Sequence, residues 1–167
     1  MVTQLMQTIA ILSDTHIPSR AAKLPDWVET EISDADIVLH AGDFDSIDAC
    51  ERVRALSTEL IAVEGNADPD LGLPEMVEVT VEECSFVLTH GSGSLNDYPG
   101  RIRSLLEGYT EPVVLIAGHS HELTDERIGP HRFINPGSAT GISPAERASM
   151  VIASVDAGRL DTDVKTN

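Results

Sequence analysis

Lysine is nearly missing from this chain of 167 residues: only Lys23 and Lys165 occur, and with arginine they make 11 cations against 28 Asp and Glu, a formal net charge of -17. Without a basic surface, non-specific binding to nucleic-acid backbones or anionic membranes is excluded as a function. The acids are scattered among apolar positions, as in "EVTVEEC" and "HELTDER", so they decorate a folded surface instead of forming a disordered tail. Acid-rich, lysine-poor surfaces suit concentrated salt, where self-repulsion is screened. That halophilic composition predicts a melting temperature that rises with added KCl; a flat or falling one would refute it. Cysteine is equally scarce. Cys50 and Cys84 have no metal-type spacing and no secretory context, which excludes a disulfide framework and an iron-sulfur site. Long apolar runs are absent too, none approaching the ~20 residues of a membrane span. The N-terminal "MVTQLMQTIAIL" has no basic stretch or cleavage site, so the expectation is a cytoplasmic protein without a membrane partner. With no repeats or linker-like tracts, residues 1–167 are expected to form one domain.

What is present is a series of short apolar runs, each ending in a small or polar cluster: "TIAILSD" (8–14), "ADIVLHAGD" (35–43), "ELIAVEGN" (59–66), "SFVLTHG" (85–91) and "PVVLIAGHSH" (112–121). Runs of this length, rich in aliphatic residues, predict strands buried on both faces. Helical spacing appears between them at 24–33, where Leu24, Trp27, Val28 and Ile32 share a face, and at 46–57, opened by Ser46 as N-cap. Strand, helix, strand, helix, strand predicts an α/β sandwich with a partly parallel sheet. Beyond Asp68, "EMVEVTVEE" (75–83) alternates and runs into 85–91 as a hairpin, 98–108 reads as a helix, and "HRFINPGSATG", "RASMVIASVD" and "GRLDTDVKT" read as strands with turns at Pro136-Gly137 and Ala157-Gly158. Two sheets in one domain accommodate this count. Cys84, Met150 and Trp27 are assigned to packing.

Each of the five apolar runs ends in a potential metal ligand: Asp14 and His16, Asp43, Asn66, His90, then His119 and His121. A lone strand-end Asp is usually a turn former, and a lone His a hydrogen-bonded core residue. Seven such residues at five strand ends call for a common cause, because ligands of α/β folds gather where the strands' carboxyl ends converge. Carboxylate, carboxamide and imidazole donors in this number exceed one four-coordinate zinc. They suit two borderline ions about 3.5 to 4 Å apart that share a carboxylate. Other histidine-pair chemistries fail: H-E-x-x-H is absent, a (β/α)₈ amidohydrolase needs about 250 residues, and Leu123 stands where a metallo-β-lactamase pattern wants aspartate.

In order along the chain, "SDTH" (13–16), "AGDFDS" (41–46), "EGNAD" (64–68), "THGSG" (89–93), "AGHSH" (117–121) and "NPGSATG" (135–141) resemble the calcineurin-like metallophosphoesterases. The closest resemblance is to their small single-domain bacterial and archaeal phosphodiesterases, a branch that includes the retromer scaffold subunit. The resemblance implies an αββα sandwich of four layers, two mixed β-sheets flanked by helices, with a di-metal site at the sheet edges. It also implies the ligand roles: Asp14, His16 and His121 on the first ion, Asp43 bridging, and Asn66, His90 and His119 on the second. Asp43, Asn66 and His119 are the expected catalytic positions. Two divalent ions, manganese ahead of nickel, iron or zinc, would polarise phosphoryl oxygens and acidify a bridging water, so that hydroxide attacks phosphorus in line. The substrate expected is a phosphate-ester small molecule or nucleotide, and the implied assembly a homodimer or homotetramer. A non-catalytic protein-binding scaffold on the same fold is the alternative. Many larger relatives carry a histidine after the Asn of the "GN" motif; Ala67 stands there, which removes a general acid. Asp45 and Asp68 are candidates for orienting ligands, Arg20 for reaching a phosphate, and Asn135 and Gly137 for placing the loop beside "GHSH".

Overall fold

The computed structural model describes residues 5–167. In chain order the elements are β1 (Gln7–Leu12), α1 (Asp26–Asp34), β2 (Ile37–His40), α2 (Ile47–Leu56), β3 (Leu60–Ala62), β4 (Met76–Val81), β5 (Cys84–Thr89), α3 (Tyr98–Glu107), β6 (Val114–Ile116), β7 (Thr124–Ile128), β8 (His131–Asn135), β9 (Ser149–Asp156) and β10 (Arg159–Thr166). They form two five-stranded sheets, ordered β10-β9-β1-β2-β3 and β4-β5-β6-β8-β7. Each sheet is mixed. In the first, β1, β2 and β3 are parallel, β9 pairs antiparallel with β1, and β10 pairs antiparallel with β9; in the second, β5, β6 and β8 are parallel and β4 and β7 close the edges antiparallel.

The period of two along a strand builds the layers. On β1, Ile9 and Ile11 point into the space between the sheets, where they meet Leu39, Phe86, Leu88, Ile116 and Ile134. Their neighbours Ala10 and Leu12 point outward, onto Val28 and Ile32 of α1 and Cys50 and Val53 of α2. On the far side, Tyr98, Ile102 and Leu106 of α3 cover Val87, Leu115 and Phe133 of the second sheet. The result is the four-layer αββα sandwich. Each large aliphatic side chain buried this way contributes roughly 1.5–3 kcal/mol relative to exposure, which is why one-residue register slips are strongly disfavoured. Cys50 and Cys84 lie in different cores, both as free thiols. Met150 is fully buried and Trp27 packs against the helical side of the first sheet.

The helix at 46–57 forms where its cap predicts: Ser46 accepts the amide N–H of Ala49. One strand was not legible. "TDERI" (124–128) has no apolar run, yet it forms β7, an edge strand whose pairing with β8, not burial, holds it. No helix among the described residues is long and apolar enough to cross a membrane.

Candidate metal centre

The parallel strands β1, β2, β3, β5, β6 and β8 all deliver their carboxyl ends to one edge of the sandwich. Asp14 and His16 follow β1, Asp43 follows β2, Asn66 follows β3, His90 follows β5, and His119 and His121 follow β6. These loops turn sharply. Asp14, His16, Asp43, Asp45, His119 and His121 all have positive φ, between 51° and 77°, a conformation that costs a non-glycine residue about 1–3 kcal/mol and gathers at functional sites.

The seven residues singled out in the sequence meet there in two groups that share an edge. Donor atoms of Asp14, His16 and His121 lie within 4.8 Å of one another, as do those of Asp43, His90 and His119. Asn66 joins the second group, its Oδ1 3.0 Å from His90 Nε2. Asp43 faces both: its Oδ2 is 3.2 Å from His90 Nε2 and 3.6 Å from His16 Nε2. A third cluster, Asp43, Asp45 and Asp68, is not equivalent, because the latter two carboxylates are already engaged. Asp45 accepts His16 Nδ1–H at 2.9 Å and the Ser19 hydroxyl. Asp68 accepts the amide N–H groups of Asp43, Asp45 and Gly65 at 2.8 to 3.0 Å.

Each histidine is locked by its outward nitrogen. His16 Nδ1–H donates to Asp45, His90 Nδ1–H to the Ala41 carbonyl at 2.7 Å, His121 Nδ1–H to Ile142 at 2.9 Å and His119 Nε2–H to Gly93 at 2.8 Å. Carboxylates and carbonyls accept only, so the proton of each neutral ring sits on that side and a lone pair faces inward. Two inward lone pairs, His16 Nε2 and His121 Nε2, stand 3.2 Å apart, and buried Asp14 Oδ1 has no hydrogen-bond partner among the described residues. Such a grouping of electron pairs repels itself unless positive charge lies between them. The pKa directions agree. Burial pushes His121, His16 and His90 down, but the Asp14 carboxylate beside the first two and Asp43 beside the third outweigh it, and all three rise. Burial likewise opposes ionisation of Asp14 and Asp43, yet the surrounding imidazoles hold both below the usual carboxylate range. The donor set therefore fits divalent cations.

A profile of the calcineurin-like phosphoesterase superfamily domain matches residues 6–158. The chain belongs to that superfamily. Among its relatives, a probable metallophosphoesterase of Methanothermobacter thermautotrophicus is 31% identical over 159 residues, covering 93% of this chain and 90% of that protein. Among solved structures, Vacuolar Protein Sorting 29 of Cryptosporidium parvum superposes with a TM-score of 0.76 at 21% identity, covering 97% of this chain and 98% of that one. Zinc-complexed Vps29 of Entamoeba histolytica gives 0.75 at 23% identity, covering 95% and 98%.

Around this candidate metal centre, several residues act by holding others. Asn135 Nδ2 donates to Gly118 O, Ser120 Oγ and Tyr98 Oη, while its Oδ1 accepts Gly137 N–H. Ser138 and Thr140 donate their hydroxyls to the carbonyls of Asp14 and Thr15, at 2.8 and 2.7 Å. Gly118 is dictated by contact: a Cβ there would overlap Ser13 Oγ and Asp14 Oδ2. Arg20 is exposed and donates to Ser143 O at 2.9 Å, a loop contact. Tyr98, Arg101 and His40 went unread in the sequence, because nothing local distinguishes a supporting residue from a packing one.

Proposed function

We propose that this chain is a metal-dependent phosphodiesterase. The observation that carries the reading is the inward set of imidazole lone pairs around Asp14 and Asp43, each fixed by an outward hydrogen bond. Asp14, His16 and His121 would hold one ion, Asn66, His90 and His119 a second, and Asp43 both. Two such ions supply the Lewis acidity that a phosphate ester and its attacking water require, manganese foremost, with nickel, iron and zinc as the others these donors accommodate. The remaining work belongs to the chain. Asp43 stays ionised and is oriented by the Ala67 N–H on its Oδ1 at 2.8 Å. Cavities of about 460 Å³, lined by Asn66, His90 and Ser92, and about 520 Å³, lined by His121, Leu123 and Arg147, flank the centre. Two flanking spaces suit a phosphodiester, both of whose substituents need room.

The Ala67 side chain carries no proton to give, so the leaving oxygen depends on its own acidity. Metal-stripped protein resupplied with manganese is expected to hydrolyse bis-p-nitrophenyl phosphate faster than p-nitrophenyl phosphate, with rates that fall as leaving-group pKa rises. No turnover in folded, metal-loaded protein would overturn the proposal. A scaffold role draws on the likeness to Vps29 and on the "NPGSATG" segment. Here Asn135, Ser138 and Ala139 are fully buried; Ser138 and Ala139 donate to the Asp14 and Ser13 carbonyls and Asn135 holds Gly118 and Ser120 beside His119, which supports a part in the centre over a docking surface.

A further inference from the structure

The two halves of the centre are not seated alike. His16 and His121 are buried, and their outward partners are the Asp45 carboxylate and the Ile142 carbonyl. His119 is half-buried, and its outward partner is Gly93, in the middle of Gly91-Ser92-Gly93-Ser94. Those side chains are too small to pack the segment in place. Something else must hold it.

We propose that Arg101, on α3, is the positioning residue for His119. Its guanidinium bridges the carbonyls that bracket Gly93: Nη1 and Nη2 each reach Gly91 O at 3.2 Å, Nη1 reaches Ser92 O at 2.7 Å, and Nη2 reaches Ser94 O at 2.9 Å. Gly93, with φ at +123°, lies flat against it, and a Cβ there would stand 3.2 Å from Arg101 Cζ. Behind, Arg101 rests on the Tyr98 ring at 5.6 Å and Nε points to Asp97 Oδ1 at 3.3 Å. The Tyr98 hydroxyl in turn donates to Gly118 O at 2.7 Å, on the residue preceding His119. The first turns of α3 thus hold His119 from both sides, through Gly93 O on its ring and Gly118 on its backbone. Although Arg101 also lines the cavity beside Asn66 and His90, its donors are committed to carbonyls, so it serves the loop and not a phosphate. A lysine could not replace it, because one ammonium cannot span three separated carbonyls as a planar fork does.

The inference rests on the two-ion reading of the centre, but one of its tests does not require metal. In the metal-free protein, long-range ¹⁵N–¹H spectra report which nitrogen of each ring carries the proton. Wild type should show His119 as Nε2–H. Arg101→Ala and Arg101→Gln should shift His119 toward a tautomer mixture and leave His16, His90 and His121 unchanged. Calorimetry with manganese should show two affinities in wild type, of which only the weaker falls, by about tenfold or more, with Arg101→Lys in between. Two affinities falling together, or a His119 signature untouched by the substitutions, would overturn the assignment. If Arg101→Ala does not fold, the Gln and Lys variants carry the same comparison. Wild type that binds no divalent ion would sink the reading of the centre, and the tautomer of His119 would still decide the role of Arg101.

Discussion

Asp43→Asn is expected to lower phosphodiesterase turnover by more than about 100-fold, beyond the range typical for losing an outer hydrogen-bond partner of a metal ligand, while leaving the metal-free protein at least as stable as wild type at alkaline pH, where His16 and His90 are neutral and no longer draw stability from the Asp43 charge. The two effects have one cause. Asparagine retains the carbonyl oxygen that accepts the Ala67 N–H at 2.8 Å, so the loop keeps its shape. In place of Oδ2 it presents an amide N–H₂ to His90 Nε2 and His16 Nε2, which now face that atom from 3.2 and 3.6 Å. Two donors would replace an acceptor among inward lone pairs, relieving repulsion in the metal-free state while removing the charge that two cations would share. Thermal melts with and without manganese, together with steady-state rates, check both halves. Retained activity would show that Asp43 does not join the two clusters.

The second large effect concerns a histidine outside the donor set. His40, the last residue of β2, has no exposed surface; its ring stacks on Phe44 at 3.6 Å. Nδ1 accepts the Gly42 N–H at 3.1 Å, so Nε2 carries the proton and donates to Thr15 Oγ1 at 2.7 Å. A second proton would point at the Gly42 N–H. Burial pushes the pKa of His40 down to about 3 from 6.5. A depressed histidine stabilises the fold fully above its unfolded value, and that stability is lost as pH falls from 6.5 toward 3, because over this range only the unfolded chain takes up the proton. The slope is about 1.4 kcal/mol per pH unit, or about 3 kcal/mol by about pH 4. Other groups are separable from it: the lowered Asp14 and Asp43 lose their contribution below 3.8, the raised His16, His90 and His121 lose theirs above 6.5, and Asp68, raised by burial, acts above 3.8 with the opposite sign and is common to wild type and variant. Urea unfolding of metal-free protein across this range should show the slope in wild type and its absence in His40→Gln, whose amide can serve both Thr15 and Gly42. A variant with the same slope would assign it to another group.

Much of the architecture was legible because the strands that matter are short, aliphatic and buried on both faces, and because small polar clusters mark where each one ends. Since β1, β2 and β3 are joined through helices, they must run parallel, and their ends must share an edge. That is why ligands as distant as Asp14 and His121 were expected together. Other features have no local signature. The β4–β5 turn uses Glu82 and Glu83, both at positive φ, where sequence rules look for glycine or asparagine. Its shape is supported from the other sheet, where Gly158 N–H donates to Glu82 O at 2.7 Å. Asp45 and Asp68 could equally have been ordinary turn formers. Only the approach of His16 to one, and of three backbone amides to the other, gives them their work.

The sequence by itself determined the inventory: which donors exist, their order along the chain, the apolar period that layers two sheets between helices, and a formal net charge of -17. The tertiary structure decided which atom of each donor faces the centre. A histidine can present either nitrogen, and the choice belongs to whichever acceptor meets the other one: Ala41 for His90, Ile142 for His121, Gly93 for His119 and Asp45 for His16. Those acceptors lie 21 to 49 residues away along the chain, and only the folded backbone brings them into hydrogen-bond range.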